Sequence, residues 1–536
     1  MIGRPGMDGR FAFREGTGFE PEAKWRVGLQ PERGNRRRKS TMNSAYERLL
    51  GLLHSLHLIH SVQGHLGWDE QVNLPSGSAG FRAEQMAEMA RLAHEAASKP
   101  ELGEALAELE TDMAALTEDQ RIVVREARRD YDRVVRVPAD FVTAKARHSS
   151  AAFHAWAQAR EARDFAAYAP FIERHIELAK EEADLQGWGD RPYDYAVDLH
   201  DPGFSAERIS ALFAELKSGL VPLVQAIEAK AGDSVSALKG FPVDAQRTFL
   251  SEVTARLGFD YHHGRMDVAL HPFCEGSGLD VRMTTRFHED EPLDSLFSSI
   301  HETGHGLYAQ GLSAEHQATA LGHHVGMAVH ESQSRMWENQ VGRSRALWRF
   351  FEPRYRELFG PQLEGISTEE LYREINAVRP TMIRVDSDEV HYNLHIILRF
   401  EIEQALFSGA LAVKDLPEAW NCKCEELLGR RPAHDGAGVL QDVHWSGGAF
   451  GYFPSYCLGN MIAAQNWAKA RAVLPGLDDD FAQGDFSRLL DWTRREIHDL
   501  GKRYETLELV ERVTGEPLSP QPLLDYLRER YGEIYL

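Results

Sequence analysis

The 536-residue chain has only four cysteines, Cys274, Cys422, Cys424 and Cys457. That is too few to staple a fold of this size, which excludes a disulfide framework. Cys422 and Cys424 stand one residue apart, a spacing that fits no common zinc site. Reduced thiols in a cytoplasmic protein are the expected state. No run of 18 apolar residues occurs, so no membrane span is expected. Positive charge is also scarce: 60 Lys and Arg face 82 Asp and Glu, a formal net charge of −22. Such a surface repels polyanions, which argues against nucleic-acid partners. No apolar segment follows the charges near the N-terminus, so no secretory signal is read there. No repeat of fixed period is found.

What is present describes a globular protein, with 43% hydrophobic and 26% charged residues. Residues 1–41 are rich in Gly and Arg, close on "NRRRKS" and lack apolar periodicity. They are expected to be a disordered extension, or the product of a start codon placed too early, because Met42 opens the first helical pattern. From Ser44 to about Ala229 most windows have helical period. "AYERLLGLLHSLHLIHSV" sets Leu49, Leu52, Leu53, Leu56 and Ile59 on one stripe. "FIERHIELAKEEADLQG" ends at Gly187, a plausible stop. Between Gly258 and Phe287 the pattern turns β-like: "RMDVALHPF" and "DVRMTTRF" flank the turn-rich "CEGSG", which predicts a hairpin or small sheet. Helical periodicity then persists to the C-terminus. No linker divides the chain after Met42, so residues 42–536 are expected to form a single, mostly α, multi-lobed domain.

The stretch "SSIHETGHGLYAQG" contains His301, Glu302 and His305 as H-E-x-x-H. Pro292 suits a first helical turn and Gly311 a last one. Leu293, Leu296, Phe297, Ile300, Leu307 and Tyr308 form a stripe to be buried. His301 and His305, one turn apart at its edge, point the same way and can bind one Zn²⁺. Glu302 is rotated by about a quarter turn, close enough to handle the proton of a water without being a ligand. A catalytic zinc needs a third protein ligand and an open position. The metzincin extension fails, because Tyr308 and Gly311 stand where it needs glycine and histidine. "VGMAVHESQSRMWENQVG" reads as a following helix and contains Glu331. The paths from His305 to Gly311 and from Val325 to Glu331 are each about 9 Å of helix. Antiparallel packing would therefore return Glu331 to the level of His305. The alternatives are core or rim histidines without metal, and a Glu331–Arg335 pair on a solvated face. His316, His323, His324 and His330 are nearby competitors, with His330 expected behind a ligand rather than as one. The chemistry that follows is metal-assisted hydrolysis with Glu302 as general base.

Several blocks in order carry a resemblance: "HPFC", "DVRMTTRF", "HESQSRMWENQVG", "IRVDSDEVHYNLHIILRFEIE" and "GVLQDVHWSGGAFGYFPSY". Together with the H-E-x-x-H helix they resemble the thermostable carboxypeptidase Taq family of metallocarboxypeptidases, from about Ser44 to near the C-terminus. The family pattern D-x-R-x-T falls on Asp280, Arg282 and Thr284, and H-E-S-Q on His330 to Gln333. G-x-x-Q-D-x-H-W falls on Gly438, Gln441, Asp442, His444 and Trp445. I-R-x-x-A-D falls on Ile383, Arg384 and Asp388, with Ser387 where the family usually has alanine. The resemblance implies a gluzincin-like helical body around a deep groove, with a small sheet beside the zinc helix. It also implies release of single residues from the free C-termini of peptides, zinc or cobalt as the metal, and a homodimer. Arg384 matches a motif thought to bind the terminal carboxylate; its alternative is an ion pair with Asp386 or Asp388. His444, Tyr452 and Tyr456 are candidates for holding the oxyanion or the substrate, or are packing aromatics. Arg282 is a candidate for binding an extended peptide, or is structural. An oligoendopeptidase with the same chemistry and a non-catalytic helical binding protein are the competing readings.

Overall fold

Among the described residues most of the chain is helical, and one small three-stranded sheet interrupts the helices where the β-like sequence lies. The computed structural model describes residues 33–231 and 236–536. The first helix, Arg33–Val72, passes through Met42 without a break, so helix begins inside the expected extension. Residues 1–32, the rest of that extension, lie outside the described residues. Of the predicted stripe only Leu49 is fully buried; Leu52, Leu53, Leu56 and Ile59 are half-buried. The reason is local. Met42, Ala45 and Leu49 close a small core with Leu102, Leu106, Leu109 and Val123. Further along, the helix and the sheet both line a cavity of about 660 Å³, and the two elements meet where His65 Nε2 lies 2.7 Å from Asp280 Oδ2.

The main core is one continuous cluster from Ala152 to Tyr531. The helices Glu389–Ser408 and Phe453–Val473 run through it and bury residues on nearly every face. Their polar side chains, among them Arg399, Glu403 and Asn460, are buried with the apolar ones. The helix Ala206–Ala231 is long and apolar enough by composition to cross a membrane. Its Ile209, Leu216, Leu220 and Ile227 are instead buried in the protein core. Its Lys217 pairs with Glu401 and Glu426.

The sheet has three strands, β1 (Gly264–Val268), β2 (Cys274–Ser277) and β3 (Asp280–Thr285), in the order β1–β3–β2. β1 pairs parallel with β3, and β2 pairs antiparallel. The two expected strands form, but "CEGSG", read as a turn, is itself mostly a strand. Gly276 explains the difference. It sits at φ +115°, and a Cβ there would stand 2.0 Å from the Asp280 carbonyl oxygen. The glycine therefore serves close strand pairing rather than a loop. Along β3 the side chains alternate. Val281 and Met283 are fully buried, packing with Ala309 of the helix Pro292–Gly311. Arg282 points the other way, with its guanidinium 4.5 Å from the Trp68 ring centroid.

Candidate metal centre

The helix Pro292–Gly311 has the predicted bounds and carries His301, Glu302 and His305. The next helix, Met327–Arg335, starts later than the sequence pattern suggested and runs on as a π-helical turn over Met336–Val341. The Asp201 carboxylate accepts the Ala328 N–H at 2.7 Å, near the start of that helix. It also accepts the Ser455 hydroxyl at 2.5 Å. A buried acid thus ties the helix Met327–Arg335 to the one that carries Tyr456. Paired contacts show the two metal-site helices to be antiparallel: His305 meets His330, and His301 meets Glu338.

This packing brings Glu331 to both histidines. Glu331 Oε2 lies 3.6 Å from His301 Nε2 and 3.4 Å from His305 Nε2. One donor atom from each of the three residues falls within 4.8 Å of the others. A cation about 2.1 Å from each donor needs donors no more than about 4.2 Å apart, and both His–Glu separations meet that. Two imidazoles and a carboxylate are the donor set of a divalent transition ion such as zinc. The donors are close enough for small side-chain adjustments to let these residues hold a metal. Each histidine is also held from behind. His301 Nδ1 is 2.9 Å from Glu338 Oε2, and His305 Nδ1 is 2.6 Å from His330 Nδ1. His330 thus meets the ring nitrogen of His305 that does not face Glu331.

Charge keeps the acids ionised. Burial pushes Glu331 upward, but the Arg335 guanidinium and the two histidines outweigh it and hold its carboxyl well below the usual range. Burial opposes Glu338 likewise, yet Arg335 and His301 bring it down to about 2. Arg335 donates to Glu331 at 2.6 Å through Nε and to Glu338 at 3.1 Å through Nη1. The pairing of Glu331 with Arg335, read from sequence as an alternative to ligation, is real but buried, and it leaves Oε2 on the histidines. Glu302 is 6% exposed. Burial raises its carboxyl, and His301 and His305 draw it back. Cys274 of β2 lies within its field.

A second cluster stands alongside. The Tyr392 ring lies 4.4 Å beneath Arg335, and its hydroxyl accepts from Arg384 Nη1 at 3.2 Å. Arg384 Nε donates to Asp442 at 2.9 Å. Its ion-pair partner is thus Asp442, not Asp386 or Asp388. Asp388 instead caps the helix Glu389–Ser408 through the N–H groups of Val390 and His391. Arg399 shares Asp442 through Nε at 2.7 Å. Tyr456 lies over Arg384, and its hydroxyl is 3.2 Å from His444 Nε2. The Tyr452 ring centroid is 5.3 Å from that of Tyr456. Burial raises both phenols: Tyr452, with Glu331 nearby, to about 12, and Tyr456, with Tyr452 beside it, well above its ordinary value. Both remain hydroxyl donors at neutral pH. Arg282 is not brought into this cluster. It pairs with Asp280 at 2.9 Å on the far face of the sheet and lines the cavity below the first helix.

Sequence reasoning passed over Glu338, Arg399 and Tyr392. "ESQSRMWENQVGR" does alternate acid and base, with Glu331, Arg335 and Glu338 at helical spacing, which is a trace of the ladder that continues to Arg343. Nothing local marks the other two.

A family model described as carboxypeptidase Taq (M32) metallopeptidase matches residues 48–531. The chain belongs to that family. It is 42% identical over 510 residues to thermostable carboxypeptidase 1 of Thermus thermophilus, covering 92% of this chain and 100% of the relative. It is 36% identical to carboxypeptidase 1 of Bacillus subtilis, over 88% of this chain and 94% of that one. The crystal structure of an M32 carboxypeptidase from Deinococcus radiodurans superposes with a TM-score of 0.88 at 41% identity, over 92% and 99% of the two chains. This M32 chain is a metallocarboxypeptidase of mostly helical fold, and a divalent metal and peptide substrates follow from the family.

Proposed function

We propose that this chain releases single residues from the free C-termini of peptides, with zinc held by His301, His305 and Glu331. The observation that carries the reading is the convergence of two Nε2 atoms on one Glu331 oxygen, 3.6 and 3.4 Å away. Glu302, next to His301 in sequence, is left free of that set. The relatives described above are carboxypeptidases, which supports the choice of chain end.

A cation at this site supplies a Lewis acid that polarises the scissile carbonyl and lowers the pKa of water. Glu302 takes the proton of the attacking water on its carboxylate and hands it to the departing amine. Its raised affinity for a proton suits both halves of that task. Tyr452 and Tyr456 keep their hydroxyl protons and offer donors for the developing oxyanion. His444 orients Tyr456 through its 3.2 Å contact. Arg384 binds the substrate's terminal carboxylate. Its Nε and Nη1 are committed to Asp442 and Tyr392, and Nη2 carries no hydrogen bond among the described residues.

The test is hydrolysis of N-blocked peptides with free or amidated C-termini, with and without a chelator, read by mass. Loss of one residue at a time from free ends only, abolished by the chelator, is the expected result. Undiminished cleavage of the amides would overturn the assignment to chain ends and the role of Arg384.

A further inference from the structure

Glu338 lies outside the H-E-x-x-H motif and outside the three donors, and the inference about it rests on the metal site proposed above. We propose that Glu338 is a positioning residue: it fixes the proton of His301 on Nδ1 and so keeps Nε2, with its lone pair free, turned toward Glu331. The His301 ring is held at both ends, Nδ1 at 2.9 Å from Glu338 and Nε2 at 3.6 Å from Glu331. Apart from His301, the hydrogen-bond partners of the Glu338 carboxylate among the described residues are two guanidinium donors. Arg335 Nη1 reaches Oε2 at 3.1 Å and Arg343 Nη2 reaches Oε1 at 3.2 Å. A carboxylate between two guanidinium groups stays ionised and can only accept. The imidazole nitrogen facing it must therefore donate, and a neutral ring with its proton on Nδ1 has its lone pair on Nε2.

The backbone is built for this contact. Glu338 sits in the π-helical turn Met336–Val341, not in a plain α-helix. In α-helical winding the residue seven positions after Glu331 would stand about 10.5 Å further along the axis. The wider turn re-aims that residue, and such turns recur where a helix must place one side chain for a function. Arg335 then spans the two acids, and Arg343 braces Glu338 from behind while lying 3.8 Å over the ring of Phe297. The other histidine is held differently. His305 Nδ1 meets His330 Nδ1, a ring nitrogen that can either donate or accept. Only at His301 does a charged acceptor dictate which nitrogen faces the metal.

The experiment measures zinc affinity by competition with a chromophoric chelator, together with the visible spectrum of the cobalt-loaded protein. Glu338→Gln is expected to weaken zinc binding by roughly 10–100-fold and to alter the cobalt spectrum. Arg343→Gln, which removes one of the two guanidinium groups on Glu338 but leaves the contact with His301, is expected to weaken zinc binding by clearly less than Glu338→Gln does. Unchanged zinc affinity in Glu338→Gln, or an equal loss in both variants, overturns the proposal. Should Glu338→Gln fail to fold, Glu338→Asp, which withdraws the carboxylate by one methylene, is read in the same way. A parent protein that binds no stoichiometric zinc would sink the metal site itself. A parent that binds zinc beside an unaffected variant sinks only the role of Glu338.

Discussion

Gly304 of the histidine helix lies directly against the backbone of Ser334. A Cβ at position 304 would stand 2.5 Å from Ser334 Cα and 2.7 Å from the Gln333 carbonyl oxygen. The spacing of the two helices, and with it the gap between the histidines and Glu331, is set by the absence of that one carbon. Gly459 does the same from a third helix, where a Cβ would meet Glu331 Cγ at 2.6 Å.

Gly304→Ala is therefore expected to force the helices apart, since backbone atoms cannot swing aside as a side-chain tip can. Overpacking of this kind costs about 1–3 kcal/mol. Thermal melting and metal content of the purified variant check it, and both should fall. A variant with parental melting and full metal would show that the helices can slide without consequence.

Glu302→Gln keeps the size of the side chain and removes its ability to take a proton. It should bind metal as the parent does while turnover falls by about 10²–10⁴-fold. Metal analysis and steady-state rates on one preparation decide the matter. Parental turnover would remove Glu302 from the mechanism.

Arg384 and Arg399 share the single carboxylate of Asp442 in the interior. Burial raises Asp442, but the two guanidinium groups win and hold it well below the usual carboxylate range. Asp442→Asn leaves two buried cations without a counter-charge. Breaking a buried pair from one side costs about 3–5 kcal/mol. Denaturant unfolding should show a loss of that order, and KM for peptides with free C-termini should rise as Arg384 loses its anchor. Unchanged stability would mean that Asp442 is not the electrostatic keystone of this cluster.

Glu403 gives a pH signature remote from the metal. Its carboxyl accepts from Trp445 at 2.6 Å, Tyr193 at 2.9 Å and the Gly451 N–H at 3.0 Å. Burial nevertheless lifts it from 4.5 to about 7. The folded state therefore holds a proton that the unfolded chain has lost between those values. The stability this contributes is complete below 4.5 and is lost as pH rises through about 7. Its size is at most about 3 kcal/mol. Glu403→Gln cannot titrate, so it should gain stability relative to the parent between about pH 5 and about pH 8. Melting curves of both proteins at the two values test this, and a constant difference between them would refute it.

The sequence alone determined what local period and covalent geometry can dictate. It set the helical body, the bounds Pro292–Gly311, the shared face of His301 and His305, and the existence of strands between Gly258 and Phe287. Its ordered blocks also carried the family. These are properties of side chains three, four or two residues apart, and a linear pattern records them directly. Only the tertiary structure decided which distant groups meet. Arg384 and Arg399 reach Asp442 across 58 and 43 residues of chain. Glu338 reaches His301 because a helix changes its winding just past Arg335. Arg282, matched to a family motif, faces Trp68 because strand alternation turns it from the metal helix. Such pairings depend on how whole helices cross and on a glycine that lets them touch, and no short stretch of sequence holds that information.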